Sequence, residues 1–408
     1  MSHRSAFDSA QYRSYFPASV FSTLGSWTLR FLLGWSAWDL THSATWVGIV
    51  AGLMLAPALV LSPLFGIVAD RVNPRNGLLL TVSLQAALAA TAAIALLLQF
   101  FALPALLVLS TALGITTSAH TPIRLALVPH LVPRESLPSA IGYSAITFNT
   151  SRILGPALGA WLLHVSSPAV AFSASTVLML GALPFLVAIP GVDRGGMDTR
   201  HPPFRRQLAD GWHYTRTHAA IRMIFGFTLV NALLGRTVIE LLPALSGQLL
   251  KGDSTTLATL TAGAGAGSIV GGLIVSRQGG SESRLFGMMS ASLALGALLV
   301  ALMAWTGQVS VVTLLVGLLS LITTIAGTTS QALAQLLVSD SYRGRVLSLW
   351  TKLASGAPAL GALVMGWAAD RWSFTPVLMC FSLAALCGLA WLYRYRDDLH
   401  AASPEKAA

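Results

Sequence analysis

The chain has 408 residues, 54% hydrophobic and only 10% charged, with a mean hydropathy of +0.70, whereas soluble domains carry about 25% charged residues. That composition excludes a soluble globular protein. The net charge of +10 could suit a nucleic-acid binder, but the basic residues stand between apolar runs and form no patch, so no nucleic-acid partner is expected.

In chain order, the runs 46–69, 76–123, 153–192, 254–276, 285–339 and 372–393 contain no Asp, Glu, Lys or Arg. Each holds one or two segments of the roughly 20 residues that cross a bilayer. Divided at their Pro, Gly and polar interruptions, and taken with the apolar stretches 14–40, 221–249 and 346–369 that carry isolated charges, they predict twelve transmembrane helices: 14–40, 45–65, 77–100, 104–123, 137–164, 168–189, 221–249, 255–275, 285–305, 309–337, 346–369 and 375–393. The apolar runs are continuous and do not alternate, which excludes a β-barrel. The N-terminal stretch lacks a cleavage site before the first apolar segment, so helix one is expected to stay. Cys380 and Cys387 lie seven apart on one predicted helix and share a face, so they cannot pair with each other. Neither a disulfide framework, nor a metal site, nor a cofactor is expected.

With the N-terminus inside, 19 of the 25 Lys and Arg residues fall on the inner side and two, Lys251 and Arg371, on the outer side. Arg30, Arg152, Arg236 and Lys352 remain within helices. The positive-inside bias therefore predicts that both termini are cytoplasmic, in the plasma membrane or bacterial inner membrane. The longest polar stretch, 190–220, separates an N-terminal six-helix bundle, 1–189, from a C-terminal one, 221–394, followed by a tail, 395–408. Within that linker Phe204, Leu208 and Trp212 recur every four residues, compatible with either a short interfacial helix or a solvated connection.

The halves repeat each other. Gly66-Ile-Val-Ala-Asp70-Arg71 matches Gly272-Leu-Ile-Val-Ser276-Arg277 at an offset of 206, and Arg30 matches Arg236 at the same offset. Pro156-Ala-Leu-Gly-Ala160 recurs as Pro358-Ala-Leu-Gly-Ala362 at an offset of 202. Three matches in corresponding helices indicate duplication of a six-helix unit, an architecture of transporters.

Gly66-Ile-Val-Ala-Asp70-Arg71-Val-Asn-Pro-Arg75, placed between helices two and three, resembles motif A of the major facilitator superfamily. Asn149-Thr-Ser-Arg152-Ile-Leu-Gly155-Pro156-Ala-Leu-Gly159-Ala160 resembles motif C, associated with antiporters of that superfamily. The stretches 122–133, 236–245 and 263–272 are similar to its enterobactin-exporter-like branch, which includes drug and siderophore exporters. The resemblance covers essentially the whole chain. It implies an all-α polytopic membrane protein of twelve helices in two pseudo-symmetric bundles, acting as a transporter and not an enzyme. It also implies that Asp70 latches the outward-open state by meeting a helix N-terminus, while Arg71 and Arg75 engage carboxylates and lipid phosphates. Ser276 replaces the acid in the second copy. In motif C, Gly155 and Gly159 allow close helix packing and Pro156 bends helix five.

Arg30, Arg152 and Arg236 are placed roughly 21 to 23 Å from their predicted helix starts at 1.5 Å per residue, and Glu240 one turn beyond Arg236. A charge at that depth costs about 2.5 to 3.5 kcal/mol even on a lenient scale, so none should face lipid. The resemblance implies that helices one, five and seven line a central cavity. Arg30, Arg152 and Arg236, with Asn149 beside them in motif C, are the expected substrate contacts. Glu240 is the one acid predicted deep in a span, and is either the proton carrier or half of an i,i+4 ion pair with Arg236. His120 and His164 sit near helix ends and read as structural. Trp27, Trp35 and Trp38 could stack on cargo or anchor the interface. Three arginines against one glutamate favour anionic cargo. The expected function is a proton-coupled, monomeric exporter of a small anionic, siderophore-like molecule. Broad multidrug efflux by antiport and import of an anionic metal–siderophore chelate are the alternatives; besides cargo and protons, only membrane lipids are expected partners.

Overall fold

A computed structural model describes residues 5–190, 212–276, 282–338 and 342–394. Among these the chain is helical throughout, without a strand. The helices are α1 (Ala10–Thr41), α2 (Ala44–Arg71), α3 (Pro74–Leu97), α4 (Leu103–Leu127), α5 (Leu137–Val165), α6 (Pro168–Val187), α7 (opening as Ala219–Asn231), α8 (Ser254–Ser276), α9 (Glu282–Met303), α10 (Val309–Leu337), α11 (Arg343–Trp372) and α12 (Phe374–Tyr393). Nine described helices are long and apolar enough to cross a membrane. The other three, α1, α5 and α11, have 32, 29 and 30 residues and ample length. They carry Arg30, Arg152 and Lys352, the charges that lower their hydropathy.

Local chemistry sets the helix ends. A turn at Ala6–Asp8, capped by Ser5, precedes α1, and the Tyr12 hydroxyl donates to the Ala140 carbonyl of α5 at 3.2 Å. These contacts start α1 at Ala10, four residues before the expected position. Arg30 consequently lies twenty residues from the helix start and eleven from its end. Nothing between Gly66 and Arg71 breaks a helix, so α2 continues to Arg71, six residues past its expected end, and only Val72 and Asn73 separate it from α3. Gly66, Asp70 and Arg71 thus lie on the last turns of α2, not in a loop; their side chains fall outside the described set. Asn73 caps α3, its side chain accepting from the Arg75 amide at 3.0 Å.

The chain divides into two compact units, one of residues 1–42, 53–199 and 253–261, the other of 43–52, 200–252 and 262–408. In the first, α1 packs on α5 and α6, and α3 on α4 and α6; Ser175 of α6 donates to the Gly25 carbonyl of α1 at 2.8 Å. In the second, Ile224, Phe227, Met289, Leu293, Leu333 and Leu389 form a buried apolar core. One buried polar knot crosses that core: the Trp350 indole N–H lies 3.0 Å from both the Thr228 and Ser330 hydroxyls. A satisfied network of this kind fixes helix register in an apolar setting. Large apolar side chains such as Val60, Leu97, Val108 and Val177 are about 70% exposed, as lipid-facing helix surfaces require. Of the linker's predicted interfacial helix, Phe204 and Leu208 lie outside the described residues; Trp212 is exposed, with the Arg216 guanidinium 5.5 Å from its ring centre.

Candidate functional site

In the first unit, α1, α4 and α5 carry one group of candidate residues. A Cβ added at Gly155 would lie 2.6 Å from Trp27 Cβ and 2.9 Å from the Thr28 amide nitrogen, and one at Gly159 would lie 2.7 Å from the Phe31 ring. Only glycine permits this approach. Motif C therefore holds α5 against the turn of α1 that carries Arg30. The Thr28 hydroxyl reinforces the contact, donating to the Leu24 carbonyl at 2.9 Å and lying 3.2 Å from that of Gly155. Pro156, half-buried, sits between these glycines on α5. Arg152 is half-buried three residues before Gly155, and Asn149 is exposed one turn earlier.

A second set of contacts was not foreseen from the sequence. The Arg30 guanidinium lies 5.5 Å from the Trp27 ring centre, Trp27 meets Phe148 edge-to-face at 5.6 Å, and Arg124 of α4 lies 5.6 Å from the Phe148 ring. Two cations thus flank a pair of aromatic rings, a favourable arrangement with the ring quadrupoles. Of the three tryptophans of α1, only Trp27 is available for such contacts, because Trp35 and Trp38 are buried in packing. Trp35 and Trp38, expected as cargo or interface contacts, are instead part of the packed core of this unit.

Arg124 also borders a small space of about 10 Å³ with Tyr15, Ser19, Ser22 and His120. The Tyr15 hydroxyl, Ser19 hydroxyl and Arg124 Nη1 are buried there without a protein hydrogen-bond partner. The space suits one water, which such buried polar groups require. His120 Nδ1 meets the Thr81 hydroxyl at 3.0 Å, and His164 Nδ1 meets that of Thr255 at 2.8 Å. Signals for this cluster were present as Tyr15, Ser19, His120 and Arg124, but their convergence depends on how α1 meets α4.

In motif A, Arg75 has a role other than the one expected. Its Nε donates to the Leu186 carbonyl at 3.1 Å and its Nη2 to the Val187 carbonyl at 2.6 Å, closing the C-terminus of α6. The last carbonyls of a helix are unpartnered within it and carry partial negative charge, so a guanidinium satisfies both needs.

In the second unit, α7 is not the single helix expected over 221–249. After Asn231 the chain makes a π-helical turn, Ala232–Arg236, then one α-helical turn, Thr237–Glu240. Leu241 leaves the helical region with φ −94° and ψ 10°, Leu242–Ala244 resumes, and a second π-helical turn spans Leu245–Leu249. Pro243 explains the break, since it has no N–H for the Ile239 carbonyl and its ring opposes a continuous ladder. Arg236 and Glu240 lie on either side of one short turn, both half-buried. π-helical turns and broken spans cluster at functional positions of membrane transporters. Lys352 of α11, also half-buried, adds a basic group within a span that the sequence reading had left without a role.

The fold is that of a multi-pass membrane protein, and the likenesses that follow make it a secondary transporter of small molecules, not an enzyme. The family model described as "Transmembrane secretion effector" matches residues 1–405; the chain belongs to this family, within the major facilitator superfamily. It is 25% identical to the staphyloferrin A transporter of Staphylococcus aureus (strain NCTC 8325 / PS 47), covering 91% of this chain and 93% of that one. It is 24% identical to macrolide efflux protein A of Streptococcus pyogenes, covering 85% and 87% respectively. Among solved structures, a bacterial homologue of the human lysosomal transporter Spinster shares the fold with a TM-score of 0.73 at 14% identity, over 97% of this chain and 99% of that one.

Proposed function

We propose that this protein is a proton-coupled exporter of a small, carboxylate-bearing anion of siderophore type, working by alternating access in a bacterial inner membrane with both termini cytoplasmic. The observation that carries the reading is the excess of cations within helices. Arg30 and Arg152 in the first unit, with Arg236 and Lys352 in the second, outnumber Glu240, the one acid away from the helix ends. A net positive charge within the spans favours an anionic cargo, which offers it charge-assisted hydrogen bonds. The likeness to a staphyloferrin A transporter supports this cargo class. A second reading, efflux of a bulky apolar cation or macrolide, is favoured by the Trp27–Phe148 ring pair and the likeness to a macrolide efflux protein.

The proposed cycle uses Glu240 as the proton carrier. In the deprotonated state it accepts hydrogen bonds from the cargo while Arg236 holds the cargo's carboxylate; a proton taken up from outside removes that acceptor and releases the cargo, so proton and cargo occupy the site in turn and move in opposite directions. The broken backbone around Leu241 lets this turn adjust without disturbing the rest of α7.

Uptake into inside-out proteoliposomes under an imposed pH gradient tests cargo and direction together. A carboxylate siderophore should accumulate, and Arg30→Gln, Arg152→Gln or Arg236→Gln should each weaken it by about tenfold or more, the effect of losing a charge-assisted hydrogen bond of about 1.5 to 3 kcal/mol. A cationic dye should be affected less. Equal losses for both cargos would make the arginines structural; preferential dye or macrolide uptake would favour the second reading, and accumulation in right-side-out vesicles alone would reverse the direction.

A further inference from the structure

The first turn of α2 is capped from the far end of the chain. Asp370, two residues before the end of α11, accepts from the Ala44 amide at 2.8 Å through Oδ1. Through Oδ2 it accepts from the Thr45 amide at 2.9 Å, the Thr45 hydroxyl at 2.6 Å and the Ser43 hydroxyl. The Trp46 amide reaches the Ser43 hydroxyl at 3.4 Å. One carboxylate therefore meets two backbone N–H groups and two hydroxyls at the positive end of a 28-residue helix.

Backbone packing supports the same junction. A Cβ added at Gly366 would lie 2.3 Å from the Ala44 carbonyl oxygen, and one at Gly48 would lie 2.3 Å from that of Ala362. The last turns of α11 and the first turns of α2 are in backbone contact, which is why residues 43–52 group with the second unit while the rest of α2 belongs to the first.

Comparison with α8, the counterpart of α2 in the internal repeat, shows that this cap is not an ordinary one. Before α8 stands Asp253, whose carboxylate accepts from the Thr255 and Thr256 amides at 3.0 and 3.1 Å. These backbone hydrogen bonds hold the Asp253 carboxyl below the usual range. Before α2 the sequence is Thr41-His42-Ser43, without an acid. α8 is capped by its own segment; α2 has a long local contact to Ser43 and takes its carboxylate from more than 300 residues away.

We infer that Asp370 and the N-terminus of α2 form a releasable latch, at the end of α2 opposite motif A, that holds one access state and opens in the other. Asp70, the motif A acid, lies in sequence on the last turn of the same helix, so the proposed latch stands at the end of α2 opposite that motif. The inference rests on the alternating-access reading above. An all-local cap such as that of Asp253 would survive any movement of its helix, whereas this one survives only while α2 and α11 stay together.

The test uses the full chain with Cys380 and Cys387 replaced by serine and spin labels at Leu40→Cys and Trp372→Cys, both exposed positions near these helix ends. Wild type should give a predominantly short distance, and Asp370→Asn should raise the ratio of long to short about tenfold, equivalent to about 1.4 kcal/mol. Ser43→Ala combined with Thr45→Val, which keeps the backbone donors and the acid, should give a smaller change in the same direction and serves if Asp370→Asn fails to insert. Distributions that match wild type in every inserted variant would overturn the latch, provided the wild type itself responds to cargo. A wild type that transports cargo with no change in this distance under any condition would contradict alternating access itself.

Discussion

α1 and α7 occupy the same place in the internal repeat and carry matched arginines, Arg30 and Arg236, yet their backbones differ. α1 is an unbroken helix of 32 residues, held against α5 through Gly155 and Gly159. α7 is interrupted by two π-helical turns and by a break at Leu241, all within reach of Glu240. Duplication kept the charge and not the backbone. The difference separates two requirements of a transporter: a rigid wall that presents cations at fixed positions, and a compliant segment where a proton can be taken up and released. We propose that α1 meets the first and α7 the second.

The largest effect should come from removing the titrating group in the compliant segment. Glu240→Gln keeps shape and hydrogen-bonding capacity but cannot carry a proton, so accumulation driven by a pH gradient should be lost while downhill cargo exchange continues. Uphill transport at the wild-type level would move coupling away from α7 and remove its distinction from α1.

Crowding the rigid wall should cost stability where crowding α7 costs less. Gly155→Ala places a Cβ against Trp27 Cβ and the Thr28 amide, and should destabilise by about 1 to 3 kcal/mol, the range for overpacked sites. Gly235→Ala meets chiefly the Thr323 hydroxyl, which can rotate away, so its loss should be smaller. Thermal unfolding of both variants in detergent measures this; the reverse order would show that α1 is not the more tightly specified helix.

The smallest effect is expected from repairing the break. Pro243→Ala restores an N–H that can bond the Ile239 carbonyl. It should leave thermal stability equal or slightly raised and slow turnover several-fold without abolishing cargo binding. Unchanged turnover with a helix shown to be continuous by amide exchange would mean that the break is incidental.

How much of this was legible in the sequence depended on whether the determinants were local. α10 occupies 309–337 as predicted, because one uninterrupted apolar run fixes both ends. α2 was read too short because Gly66 invited a stop that its neighbours do not support. Pro243 and Gly235 were visible signals for the interruption of α7, but apolar periodicity alone does not distinguish a π-helical turn from an α-helical one. The contacts of Arg75 with α6, the Arg30–Trp27–Phe148–Arg124 series and the Asp370 cap join residues far apart in the chain. Their residue types suggested partners; only packing selects which.

The central claim is that Glu240 exchanges a proton when cargo binds. Purified protein in weakly buffered detergent, near the pH at which half the sites are protonated, reports this directly through a pH-sensitive dye. Addition of a carboxylate siderophore to the wild type should change proton occupancy by up to one proton per bound cargo, and Glu240→Gln should bind cargo with no such change. An equal proton change in both proteins would contradict the account.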